Sequence, residues 1–166
     1  MIRSIVIDDE QHCVKALCND LQKNCPAVEV MASCYSAKEG MLSIKKHHPD
    51  LVFLDVEMPW MNGFEMLEVL SDVNFSIIFT TAHDEFAAKA FRISAVDYLL
   101  KPIDAGDLKE AVKKVEQKME QPGNIHIETL LRNIKKPSTQ QKIALPYKEG
   151  YEFVRLDELI NKKAYA

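Results

Sequence analysis

Asp8, Asp9 and Glu10, then Asp55, then Thr81 with Ala82, and finally Lys101 with Pro102 are the residues whose types and places can do chemistry in this chain. Carboxylates gathered at one spot repel each other, which raises their pKa values unless a cation sits among them. A hard divalent ion relieves that conflict. Mg²⁺ suits a site of one or two carboxylates completed by carbonyls, water and phosphate oxygens. With the ion holding charge, one carboxylate can act as a nucleophile toward a phosphoryl group. The ammonium of Lys101 can neutralise one of the transferred oxygens, and the Thr81 hydroxyl can donate to another. Asp55, alone after its own apolar run, is the natural acceptor.

Each of these groups directly follows a run of apolar, largely β-branched residues: Ile5-Val6-Ile7, Leu51-Val52-Phe53-Leu54, Ile77-Ile78-Phe79-Thr80 and Val96-Asp97-Tyr98-Leu99-Leu100. Such runs read as buried strands of a parallel sheet. The carboxyl edge of an open α/β sheet is where ligands bind. Strands are predicted at 2–7, 28–33, 50–54, 76–80 and 96–99. Amphipathic helices are predicted near 11–24, 36–47, 64–71, 85–92 and 104–120. Five β-α units with short connections favour a parallel sheet with right-handed crossovers. In the last helix Asp104 is a cap, Leu108, Ala111, Val112 and Val115 form the stripe, and Gln121-Pro122-Gly123 is the stop.

Size and composition narrow the classes. The 166 residues allow one ordinary domain of about 100–150 residues and a remainder. Apolar stretches fall far short of the ~20 residues of a membrane span, and Asp8-Asp9-Glu10 interrupt any signal peptide; the expectation is a cytoplasmic protein with no membrane association. Residues 1–120 hold 20 acids against 13 Lys/Arg, and residues 121–166 hold 5 against 8, so the acidic part argues against nucleic-acid binding there. Cys13, Cys18, Cys25 and Cys34 form no C-x-x-C pair and have no histidine at zinc-finger spacing. Cys18, on an apolar stripe with Val14, Leu17 and Leu21, reads as a buried reduced thiol. His47-His48 read as a solvent-side helix end.

Pro122-Gly123-Asn124 opens a linker with a short amphipathic helix (Ile127, Leu130, Leu131, Ile134) and a polar run over 135–141. Alternation at Ile143, Leu145 and Tyr147, a turn at Glu149-Gly150, and Tyr151, Phe153 and Val154 predict a β-hairpin. That piece is too small to own a core. The domains expected are therefore 1–121, a linker 122–141, and 142–166, with rapid proteolysis beyond about residue 122.

Taken singly, an Asp or Thr after a strand is often only a helix cap or loop acid, and Lys-Pro only a strand stop. The set is different. Asp8-Asp9, Asp55 within Leu54-Asp55-Val56-Glu57-Met58-Pro59, Gly63, Thr81-Ala82, Tyr98 and Lys101-Pro102 together resemble the receiver domain of bacterial two-component response regulators, over residues 2 to about 121. The resemblance implies a flavodoxin-like (βα)5 doubly wound sheet of order 2-1-3-4-5. It implies Asp55 as the phosphorylated residue, and Mg²⁺ on Asp9, Asp55 and the backbone carbonyl of Glu57, with Asp8 acting directly or through water. Lys101 and Thr81 would meet the phosphoryl oxygens, Tyr98 would be the aromatic switch, and the Lys101-Pro102 bond would be cis.

Residues 79–102 resemble the LytTR subgroup in particular, and 142–160 are similar to the first strands of its DNA-binding domain. That implies a sensor histidine kinase as partner, a homodimer through the fourth helix, fifth strand and fifth helix (Phe86, Ala90, Phe91, Leu108, Val112), and DNA binding only in a fuller chain. The protein would catalyse only its own phosphorylation and slow dephosphorylation. Two other classes stand beside this one. A haloacid-dehalogenase-type phosphatase wants a second acid two residues after its nucleophile, where Glu57 stands; the paired Asp8-Asp9, the Lys-Pro turn and the lack of a cap domain oppose it. A phosphorylation-independent interaction module would be attractive only without Asp55 or Lys101. Glu57 itself reads either as a solvated loop acid or as a group that screens the phosphoryl site or engages His83. Trp60, beside it, either packs over the loop or stands half exposed.

Overall fold

The computed structural model describes residues 1–120 and, as backbone only, the strands at 142–147 and 150–155. By contact the chain divides into two units, Met1–Pro122 and Gly123–Ala166. In the first, β1 (Ile2–Ile7), α1 (Gln11–Asn24), β2 (Val28–Cys34), α2 (Ala37–His47), β3 (Leu51–Asp55), α3 (Gly63–Val69), β4 (Ser76–Thr81), α4 (Ala87–Arg92), β5 (Asp97–Leu100) and α5 (Ala105–Glu120) alternate. The five strands are parallel in the order β2-β1-β3-β4-β5. This is the parallel sheet expected from the strand runs, in the doubly wound order that the resemblance implied.

Period-two alternation splits the core into two layers. Val6, Phe53 and Ile78 face α1 and α5, where they meet Val14, Leu17, Leu21, Leu108, Ala111 and Val115. Ile5, Ile7, Val52, Leu54, Ile77 and Phe79 face the other way, toward Ile44, Phe64, Met66 and Ala90. Both faces of the central strands are therefore apolar, which is why they read as continuous runs rather than alternations.

Local chemistry sets the boundaries. The Asp104 carboxylate accepts from the N–H groups of Gly106 (2.7 Å) and Asp107 (3.2 Å), capping α5. Asn62 and Glu65 form a reciprocal capping box at the start of α3. At Gly63 a Cβ would lie 2.4 Å from the Asp55 carbonyl oxygen, so only glycine lets this helix start so near β3.

Three expectations shift. α3 stops at Val69 rather than 71, where Leu70 is already extended. The helix predicted over 85–92 is a 3₁₀ turn, Asp84–Phe86, followed by six α-helical residues. Cys18 is only half-buried; the buried thiols are Cys25 and Cys34. In the second unit β6 (Lys142–Tyr147) and β7 (Gly150–Arg155) pair antiparallel. The linker and its short helix lie outside the described residues.

Candidate functional site

The sheet register gathers the chemical groups. Ile7 pairs with Leu54, so the residues after β1 lie beside the end of β3. Asp55 pairs with Thr80, and Thr81 with Leu100. The Lys101 N–H then donates to the Thr81 carbonyl at 2.8 Å, and the Lys101-Pro102 peptide is cis. From this start the lysine side chain reaches back across the strand ends. Its Nζ lies 2.7 Å from Asp8 Oδ2, 3.6 Å from Asp55 Oδ2 and 3.5 Å from Glu10 Oε1.

Asp8 and Asp55 are each only 3% exposed, and Asp9 is half-buried beside them. One carboxylate oxygen from each of the three lies within 4.8 Å of the other two. The cost of this crowding appears in Asp55. Burial first, and the Asp8 charge second, raise its pKa to about 7, against the opposing pull of Lys101 and of the Glu57 backbone N–H. Burial works to lower the Lys101 pKa, but the Asp8 hydrogen bond and the Asp55 charge outweigh it and hold the ammonium firmly protonated. One lysine thus answers several acids. A hard divalent cation among Asp8, Asp9 and Asp55 fits this donor set, which is all oxygen, crowded and under-compensated.

Of the residues singled out by sequence, Asp8, Asp9, Asp55 and Lys101 come together. Thr81 is buried at the same edge, its hydroxyl accepting from the His83 N–H at 3.2 Å. Tyr98 is half-buried and donates its hydroxyl to the His83 carbonyl; burial leads the rise of its phenol pKa. The Glu57 side chain is not among the gathered acids. Its Oε2 meets His83 Nε2 at 2.8 Å with both groups about half exposed, so the engagement with His83 is the arrangement present. His83 thus touches Thr81, Tyr98 and Glu57 at once, a junction that no periodicity in the sequence reveals. Trp60 neither packs nor is half exposed: it stands 103% exposed at φ 71°.

A doubly wound five-stranded domain with a buried acid pair and a lysine at the carboxyl edge of its sheet has the architecture of a signal-receiving domain. The chain belongs to the response regulator receiver domain family, whose model matches residues 5–113. It is similar to a response regulatory protein of Shewanella oneidensis, 42% identical over 70% of this chain and 50% of that protein. It is also similar to the transcriptional regulatory protein BtsR of Escherichia coli, 39% identical over 70% of this chain and 49% of the other. The sensory transduction protein LytT of Bacillus anthracis matches at 28% identity over 96% of this chain and 65% of its own length. The chain therefore spans about half to two thirds of these curated relatives. Among solved structures, the receiver domain of AraT from Geobacillus stearothermophilus superposes with a TM-score of 0.66 at 31% identity, covering 73% of this chain and 97% of that one.

Proposed function

We propose that this chain is the phosphoacceptor switch of a two-component system, in which Asp55 takes a phosphoryl group from a sensor histidine kinase or a small acyl phosphate. The observation that carries the reading is the buried Asp8–Asp55 pair, with Asp9 within 4.8 Å and Lys101 as a close counter-charge. An Asp55 oxygen attacks phosphorus as the bond to the donor breaks. Asp9, Asp55 and the Glu57 carbonyl, with Asp8 directly or through water, would hold Mg²⁺, which when bound neutralises the acids and the incoming phosphoryl oxygens. Lys101 offers its ammonium to one phosphoryl oxygen and Thr81 its hydroxyl to another. The Thr81 hydroxyl accepts from the His83 N–H while keeping its own proton to offer, and Tyr98 hangs on the carbonyl of that same residue. Occupation of the site therefore biases Tyr98 through a two-state junction.

Residues 1–121 form the receiver, 122–141 a linker, and 142–166 the start of a LytTR-type DNA-binding domain. The likeness to LytT over 96% of the chain and the β6–β7 pairing support that assignment. The output is then transcriptional and the setting cytoplasmic. Among the described residues no helix is long and apolar enough to cross a membrane. A homodimer would use the outward apolar groups of α4 and β5 and the segment between them, Phe91, Ile93 and Leu100, because Ala90, Leu108 and Val112 are spent in the core. The protein acts on no substrate other than its own phosphoryl donor. Glu57, committed to His83, is poorly placed as the second acid of a phosphatase.

Intact mass after incubation with Mg²⁺ and acetyl phosphate tests the reading. The expected result is a single phosphoryl adduct, absent without Mg²⁺ and absent in Asp55→Asn. An adduct that survives in the mutant would show that the acceptor is another carboxylate.

A further inference from the structure

We propose that Glu10, His12 and Cys13 form a second metal site, suited to a borderline-soft divalent ion of the zinc type, at the mouth of the acid cluster. A carboxylate oxygen, an imidazole nitrogen and a thiol from these three residues lie within 4.8 Å of one another. His12 Nε2 already faces Glu10 Oε2 at 3.4 Å, with the imidazole largely exposed and open to an arriving ion. Glu10 is the N-cap of α1, yet its side chain makes no capping hydrogen bond, so its carboxylate is not committed to the helix. Zinc held there would draw the three donors in to roughly 2.0–2.3 Å of the ion, with water in the fourth position.

Ligand softness separates this site from its neighbour. Oxygen donors alone select a hard ion, whereas thiolate and imidazole favour zinc, cobalt or copper. The N-terminus of α1 opposes any cation there, and only weakly at an exposed helix end. Lys101, 3.5 Å from Glu10, adds repulsion, tempered by Asp8, which lies 2.7 Å from the same ammonium. Zinc-finger spacing misses the site because its ligands stand almost adjacent at a helix start.

Binding releases the thiol proton to solvent and draws Glu10 away from Lys101, which lies 3.5 Å from it. The ion would then sit over the approach to Asp55 and slow phosphoryl uptake. That consequence rests on the phosphoacceptor reading; the metal site does not.

Titration of the full chain with Co²⁺ in excess Mg²⁺ tests the site. One equivalent should produce a tetrahedral visible spectrum with a sulfur-to-cobalt charge-transfer band. Cys13→Ser should abolish the band, and His12→Ala should weaken binding at least tenfold. No sulfur band at one equivalent, or a band that persists in Cys13→Ser, overturns the proposal. In a second arm, Zn²⁺ should slow adduct formation from acetyl phosphate at least fivefold in the native chain and not in His12→Ala, each against its own zinc-free rate. Equal slowing in both places the ion in the acid cluster and overturns the regulatory consequence. Absence of any adduct without zinc, with the cobalt band intact, removes the phosphoacceptor reading and leaves the metal site standing.

Discussion

The two edges of the parallel sheet each carry aspartate and a basic residue, and they use them in opposite ways. At the amino edge the Arg3 N–H donates to Asp50 Oδ2 at 2.8 Å, and the Asp50 N–H donates back to the Arg3 carbonyl at 2.8 Å. The Asp50 carbonyl accepts from Ser76, and the Arg3 guanidinium closes onto the last carbonyls of α2 at His47 and His48. These groups are paired with neutral partners and tie strands to helix. At the carboxyl edge the same residue types are crowded by like charge, and Asp55 is driven far from an ordinary carboxylate. One edge is electrostatically settled and the other is held in conflict. The conflict is resolved only by something that arrives from outside, which is what distinguishes a site from a joint.

Substitutions can break this contrast. The largest effect is expected from Lys101→Met, which removes the positive charge offered to the transferred oxygens. Uptake from acetyl phosphate, followed by mass over time, should slow by about 10²–10³-fold; slowing of less than threefold would mean that Lys101 only balances charge. Next is Asp50→Ala at the settled edge. It should lower stability by about 1–2 kcal/mol in urea unfolding, because a part-buried Arg3 N–H loses its acceptor, while the phosphoryl adduct still forms.

Asp55→Asn should do the reverse and stabilise the metal-free protein by about 1–2 kcal/mol at pH 8. The sign follows from the raised pKa. Between roughly pH 4 and 7 the folded carboxyl keeps a proton that the unfolded one has lost, so native stability falls as pH rises through that window. The Asn variant should lack this fall, and the two proteins should converge below pH 4. Equal pH profiles would show that Asp55 carries no such conflict. Smallest is Glu57→Gln, which cuts a half-exposed pair and should change stability by less than about 0.5 kcal/mol.

Much of this was legible in the sequence, for a physical reason. Strands apolar on both faces can only be central strands of a covered sheet, so the residues that follow them must meet at its edge. The parallel sheet and the gathering of Asp8, Asp9, Asp55 and Lys101 come from that logic, whereas the strand order was legible only through the family resemblance of the motifs. Side-chain partnerships of surface loops do not. The 3₁₀ turn at Asp84–Phe86 follows His83, whose N–H and carbonyl are already bound to Thr81 and Tyr98, and helical periodicity carries no trace of those bonds. The outward face of α4 was equally hidden. A helix of six residues shows too little period to tell that Ala90 points inward while Phe91 remains exposed.

The loop after β3 begins and ends at one hydrogen bond, from the Gly63 N–H to the Val56 carbonyl at 2.9 Å. It is therefore a closed ring clipped at its base, with Glu57, whose N–H meets the Asp55 carboxylate, on the limb next to the acceptor. Trp60 rides at that tip. The ring is a natural place to graft a reporter or a short peptide, since the anchor that fixes the acceptor lies at the base and the decoration is carried beyond it.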